Sequence, residues 1–258
     1  MSEANATETR GGGTGTRGAR VLVTGGTSGY GRALAGEFAA RGARVIVVGR
    51  DGRRLAQAER DGLHAVRADL TVPGDRQAVL AAVRDRFGGL DTVVQNAAVQ
   101  TPVPLLGGDL ERTRGLVERE LDADLAAPLA FTVEVLPLLE RRGGTVAFVT
   151  STLGFAPKQS APAYCAAKAG LTAFALSLRY QLRREAPGMR SAVVTLPLVA
   201  TPMTEGRAQG TMPVGEAARR TVRALERGAQ DIDIGKARVF RLLHRLAPRR
   251  AARITRDS

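Results

Sequence analysis

Tyr164 and Lys168 stand four residues apart in the run Tyr164-Cys165-Ala166-Ala167-Lys168, inside a segment with helical apolar spacing. Residues at that spacing share one helix face, so the phenol and the ammonium lie side by side. A phenol with an ordinary pKa near about 10 is a poor acid or base at neutral pH, and a neighbouring ammonium favours its phenolate. A thousandfold gain in acidity from such a neighbour corresponds to about 4 kcal/mol. The pair can then give a proton to a ketone oxygen or take one from an alcohol. Ser151, at the end of the preceding apolar run, can hydrogen-bond the same oxygen.

A second constellation lies near the N-terminus, where Thr24–Gly31 reads TGGTSGYG between a strand-like and a helix-like segment. Gly25 lets the chain turn sharply, Gly29 lets backbone approach a pyrophosphate, and Gly31 lets the helix pack close to the sheet. Thr27, Ser28 and Tyr30 complete the turn, and phosphates would sit on the free N–H groups at the helix N-terminus. The next strand ends in Val48-Gly49-Arg50. An acidic residue in that region would accept from a ribose 2′-hydroxyl, whereas glycine followed by arginine leaves room for a 2′-phosphate and a cation to clamp it. NADP(H), rather than NAD(H), is the expected cofactor. Asp69-Leu70 follows the third strand, where an acceptor suits the adenine amino group.

These residues need a scaffold, and the pattern around them supplies one. Strands are predicted at 20–24, 44–48, 63–68, 90–95, 145–150 and 191–196, with a seventh at 231–234. Helices are predicted at 32–41, 74–87, 121–140 and 161–184, the first closed by Gly42. This alternation is that of parallel βαβ units in a single α/β domain, 20–258, with a doubly wound central sheet of about seven strands. Ligands bind such sheets at the carboxyl ends of their strands. The first 19 residues are polar and glycine-rich and read as a disordered lead-in, neither signal nor anchor.

The 258 residues, 44% hydrophobic, can bury a full core. One cysteine, Cys165, rules out an internal disulfide and fits a reducing, cytoplasmic setting. No run approaches the roughly 18 apolar residues of a spanning helix. The net charge of +13 comes from arginines spread along the chain, with no interleaved aromatic platforms, so a nucleic-acid partner is not expected. His64 and His244 show no metal-ligand spacing, and no metal is expected.

Over residues 20 to about 201, and more weakly on to 254, the chain resembles the classical short-chain dehydrogenase/reductase family, whose fold is of Rossmann type. TGGTSGYG matches its nucleotide turn, Asn96-Ala97 its Asn-Ala motif after the fourth strand, and Ser151, Tyr164 and Lys168 its catalytic set. Pro197-Leu198-Val199-Ala200-Thr201 matches its segment after the sixth strand, where a threonine contacts the nicotinamide amide. The resemblance implies hydride transfer between nicotinamide and a ketone or secondary alcohol; Leu153, Phe155 and Met203 suggest an apolar pocket, and with it a small, apolar substrate. Tyr164 would be the general acid/base, and Lys168 would hold the nicotinamide ribose and lower the phenol pKa. It also implies a homodimer or homotetramer.

The chain departs from the family at two points. Ala98 stands where glycine is usual, and Asp124 aligns with the catalytic asparagine whose carbonyl holds a water leading to the lysine. An aspartate keeps that carbonyl but loses the side-chain N–H and can add charge. Two other readings use the same pocket: non-redox chemistry such as dehydration, epimerisation or cyclisation, and cofactor sensing without turnover. The substrate lid is expected from 102–109, 153–163 and 202–213. The basic stretch 236–253 puts Val239, Leu242, Leu243 and Leu246 on one helical face. It is expected to pack on its own domain or a sister subunit, rather than on an anionic membrane surface.

Overall fold

The computed structural model describes residues 15–140, 143–204 and 211–256. Seven parallel strands form one sheet: β1 (Arg20–Thr24), β2 (Arg44–Gly49), β3 (His64–Arg67), β4 (Thr92–Gln95), β5 (Thr145–Ser151), β6 (Arg190–Leu196) and β7 (Asp231–Asp233). Their order is β3-β2-β1-β4-β5-β6-β7. The chain winds outward from β1 to β3, then returns to β4 and winds the other way. Between the ends of β1 and β4 the connections diverge, opening the crevice in which such sheets bind ligands.

The strands are apolar on both faces because helices cover both. Leu22, Ile46, Val93, Val146, Phe148 and Val193 face α3 (Pro73–Phe87), α5 (Ala127–Glu140) and α6 (Pro162–Glu185). Their neighbours one residue away, including Val21, Val23, Val45, Val47, Val94 and Val194, face α1 (Gly29–Ala40) and α7 (Val214–Glu226). This alternation is the period-2 rule of a strand.

Every predicted strand forms, with ends displaced by a residue or two. The helices differ more. α2 (Gly52–Arg60) and α7 were not read from the sequence. α2 is short and polar, and α7 buries mostly small residues, Ala217, Ala218, Thr221 and Ala224 beside Val222 and Leu225, which make a weak apolar signal. The helix expected at 121–140 begins earlier, as α4 (Leu110–Leu121), and passes through a π-helical turn, Asp122–Ala126, into α5. The stretch expected as one helix over 236–253 is two, α8 (Ala237–Leu246) and α9 (Pro248–Arg256). Pro248 lacks the N–H and disfavours helix at the residue before it, so the chain breaks at Ala247.

Most of the expected lead-in, residues 1–14, lies outside the described residues. Its end is ordered, against expectation: Thr16 is buried and hydrogen-bonded to Glu226, and the Gly18 N–H donates to the Gly42 carbonyl at 2.8 Å.

Candidate active site

A cleft of about 800 Å³ runs across the carboxyl ends of the strands. At one end lies the turn between β1 and α1. A Cβ at Gly31 would collide with the Gly25 carbonyl and the Asn96 carboxamide, so only glycine lets α1 begin this close to the sheet. The N-cap Ser28 makes no side-chain capping bond, which leaves the N–H groups of the first turn available to the cleft. Gly25, Thr27, Ser28, Gly29 and Gly31 line it, a cradle that fits a pyrophosphate. Tyr30 also reaches the cleft wall, but its hydroxyl is 2.6 Å from Thr221 Oγ1, inside the α1–α7 contact. Burial raises this phenol well above its ordinary value; the side chain anchors α7.

Asn96 works as a clamp. Its carboxamide donates to the Thr24 carbonyl at 2.9 Å, while the Asn96 and Ala97 N–H groups donate to Thr24 Oγ1 at 2.9 and 3.0 Å. The floor of the cleft is thereby fixed between β1 and β4. At the end of β2, a Cβ at Gly49 would stand 2.6 Å from Thr27 Oγ1, so an acidic side chain there would displace Thr27. Arg50 lies at the rim, largely exposed, and donates to Asp69 at 3.0 Å. Asp69 also accepts from the Thr71 N–H and hydroxyl, and it lines the cleft. Leu70 is buried beside it and lines the cleft. Arg54, which the sequence reading missed, lies on the same rim.

At the other end, β5 delivers Ser151 and α6 presents Tyr164 and Lys168 on one face. All three line the cleft, with Tyr164 and Lys168 buried. The Lys168 ammonium stands 5.3 Å from the centre of the Tyr164 ring, as the four-residue spacing requires. The wall opposite is Pro197, Val199 and Thr201, the last held by the Thr204 hydroxyl, which accepts from the Thr201 N–H at 3.0 Å. Residues 205–210 of the expected lid lie outside the described residues. Phe240, Ile254 and Thr255 of the C-terminal helices complete the wall.

The electrostatics depart from expectation. The π-helical turn swings Asp124 inward, where it is fully buried, 3.6 Å from the Lys168 ammonium, and accepts from the Val99 N–H at 2.7 Å. Burial raises the Asp124 carboxyl above its usual value against the pull of Lys168 and that N–H. Glu120 follows the same rule: it is buried, with one oxygen lacking a hydrogen-bond partner, and burial followed by the Asp124 charge raises it, against the Thr101 N–H. The expectation that Tyr164 is made more acidic by Lys168 is therefore corrected for this state. Burial raises the phenol first and Asp124 second, outweighing a hydrogen bond with Ser151. Glu120 was legible only as an acid one helical turn before Asp124, a signal the asparagine comparison did not use.

The model of the family described as short chain dehydrogenase matches residues 19–211. An oxidoreductase of Staphylococcus epidermidis is 32% identical over 190 residues, 72% of this chain and 80% of the relative. A 1-deoxy-11-beta-hydroxypentalenate dehydrogenase of Streptomyces exfoliatus is 37% identical over 195 residues, 72% of this chain and 69% of that one. A crystal structure of a short chain dehydrogenase from Burkholderia cenocepacia in complex with NADP superposes with a TM-score of 0.80 at 23% identity. It covers 92% of this chain and 97% of that one, and it establishes the likeness of fold. The chain belongs to the short chain dehydrogenase family, an oxidoreductase family that uses a nicotinamide cofactor.

Proposed function

We propose that the chain is an NADP(H)-dependent carbonyl reductase or alcohol dehydrogenase acting on a small, largely apolar ketone or secondary alcohol. What carries the reading is one cleft with two ends: a glycine cradle with a cationic rim, and the Ser151–Tyr164–Lys168 group. When bound, the dinucleotide supplies or accepts the hydride through its nicotinamide ring. The first turn of α1 would hold its pyrophosphate, Arg50 and Arg54 its 2′-phosphate, and Pro197, Val199 and Thr201 the nicotinamide end.

Within this site Ser151 orients the substrate oxygen, and the Tyr164 hydroxyl gives it a proton during reduction or removes one during oxidation. A high phenol pKa keeps Tyr164 protonated at neutral pH, which suits the reducing direction. Lys168 neutralises the phenolate left behind. Asp124 acts through Lys168, as a positioning residue, by holding the ammonium from behind. Leu153, Phe240 and Met203 give the substrate region an apolar lining.

NADPH consumption against a panel of ketones, with wild type and Tyr164→Phe side by side, tests the reading. Loss of the proton donor is expected to lower turnover by about a hundredfold or more while NADPH binding persists. Full turnover in Tyr164→Phe would overturn it.

A further inference from the structure

The C-terminal helices have two dissimilar faces. One belongs to the cleft: Ala237 is buried, Phe240 lines the cavity, and Phe155 packs on Phe240 and His244 with ring centroids 5.9 and 5.2 Å apart. The face turned away carries Val239, Leu242 and Leu246, which are 70%, 57% and 74% exposed. Their spacing makes a continuous apolar stripe on the outside of α8. Arg238 and Arg245 lie beside the stripe, and α9 adds exposed Ile254 among Arg249, Arg250 and Arg253. Residues 237–256 contain no aspartate or glutamate.

Charge selects what can cover this surface. A second copy would set arginines against arginines, and nucleic acid would satisfy the arginines while leaving the leucines in water. An anionic bilayer satisfies both, because the apolar stripe enters the acyl boundary while the guanidinium groups reach the headgroups. We propose that α8 and α9 form a docking surface for an anionic lipid bilayer. No described helix is long and apolar enough to cross a membrane, so the contact lies on the surface. Phe240, on the opposite face of α8, and Ile254 of α9 line the cleft, so docking sets one wall of the cleft within a helix width of the bilayer, where apolar substrates partition.

Full-length protein is sedimented with vesicles of mixed phosphatidylglycerol and phosphatidylcholine, and with phosphatidylcholine vesicles alone. Binding is expected to the anionic vesicles only and to weaken with salt. Leu242→Glu/Leu246→Glu, at two exposed positions, is expected to lower that binding by at least about tenfold. Arg245→Ala/Arg249→Ala is expected to lower it and flatten the salt dependence. NADPH titration of each variant verifies the fold and keeps failure of docking distinct from failure of the cofactor assignment. Absence of binding to anionic vesicles, or wild-type binding by the leucine variant, would overturn the proposal. So would duplex DNA binding as tight as vesicle binding and insensitive to the leucines, or a wild-type dimer that the leucine variant splits.

Discussion

Asp124→Asn separates the electrostatic influence of the buried acid from its packing, since the two side chains have nearly the same shape. The Lys168 ammonium lies 3.6 Å from Asp124 and 5.3 Å from the centre of the Tyr164 ring, which bounds the acid-to-ring separation at about 9 Å. The phenolate charge sits on the hydroxyl oxygen, about 3 Å from the ring centre, so the two charges lie within about 12 Å and, at an effective dielectric constant of about 20, interact by at least about 1.4 kcal/mol, equivalent to about one pH unit. At the alkaline pH where a phenol titrates, Asp124 is ionised and opposes formation of the phenolate. Removing its charge therefore moves the Tyr164 titration down by about that amount. The chain has three tyrosines, so a Tyr30→Phe/Tyr180→Phe background leaves Tyr164 as the sole phenol. Its near-ultraviolet phenolate absorbance is read immediately after an alkaline pH jump, with NADP+ saturating, so that folded protein is sampled. An unchanged or raised midpoint in the asparagine variant would refute the coupling. Turnover near neutral pH is expected to stay within several-fold, because the substituted residue keeps the backbone carbonyl and its side-chain oxygen can still accept from the Val99 N–H.

Arg50→Ala is expected to weaken NADPH by at least about tenfold and NADH little, as loss of a charge-assisted phosphate contact requires; equal weakening in titrations would remove Arg50 from the 2′-phosphate site. Glu120→Gln bears on stability. A carboxyl raised by burial favours the folded state fully at acid pH, and that contribution fades as pH rises through the raised value. The glutamine variant lacks this fade, so urea melts should show it gaining on wild type as pH rises from acid through neutral; parallel pH profiles would contradict the assignment. Phe148→Ala, at a fully buried position on β5, should cost about 3–5 kcal/mol in the same assay, and a loss under about 1 kcal/mol would show that the core collapses around the gap.

The sheet was legible because its strands are unbroken apolar, β-branched runs, and the RVLVT and TVAFVT segments have no helical reading. The cleft was legible because residue order along the chain fixes which strand ends meet: TGGTSGYG after β1, Ser151 ending β5, Tyr164 and Lys168 on α6. What escaped depends on register in three dimensions. The π-helical turn at Asp122–Ala126 adds one residue to a turn, which no 3.6-residue pattern reports, and it is what buries Asp124 against Lys168. Glu120 escaped with it. The sign of the Tyr164 shift was misread because local spacing reveals the adjacent ammonium but neither the burial nor the acid behind it. In the same way α7 hides behind alanines, and the break at Pro248 needed the contact of α9 with the cleft to give it meaning.

The central claim, that this cleft takes NADP(H) in preference to NAD(H), is tested most directly by titrating the purified protein with NADPH and NADH and following nucleotide fluorescence. Binding of NADPH tighter by at least about tenfold is expected, from the arginines at the rim and the open cradle together. Preference for NADH would contradict the role given to Arg50 and Arg54, and binding of neither would contradict the assignment of the cleft itself.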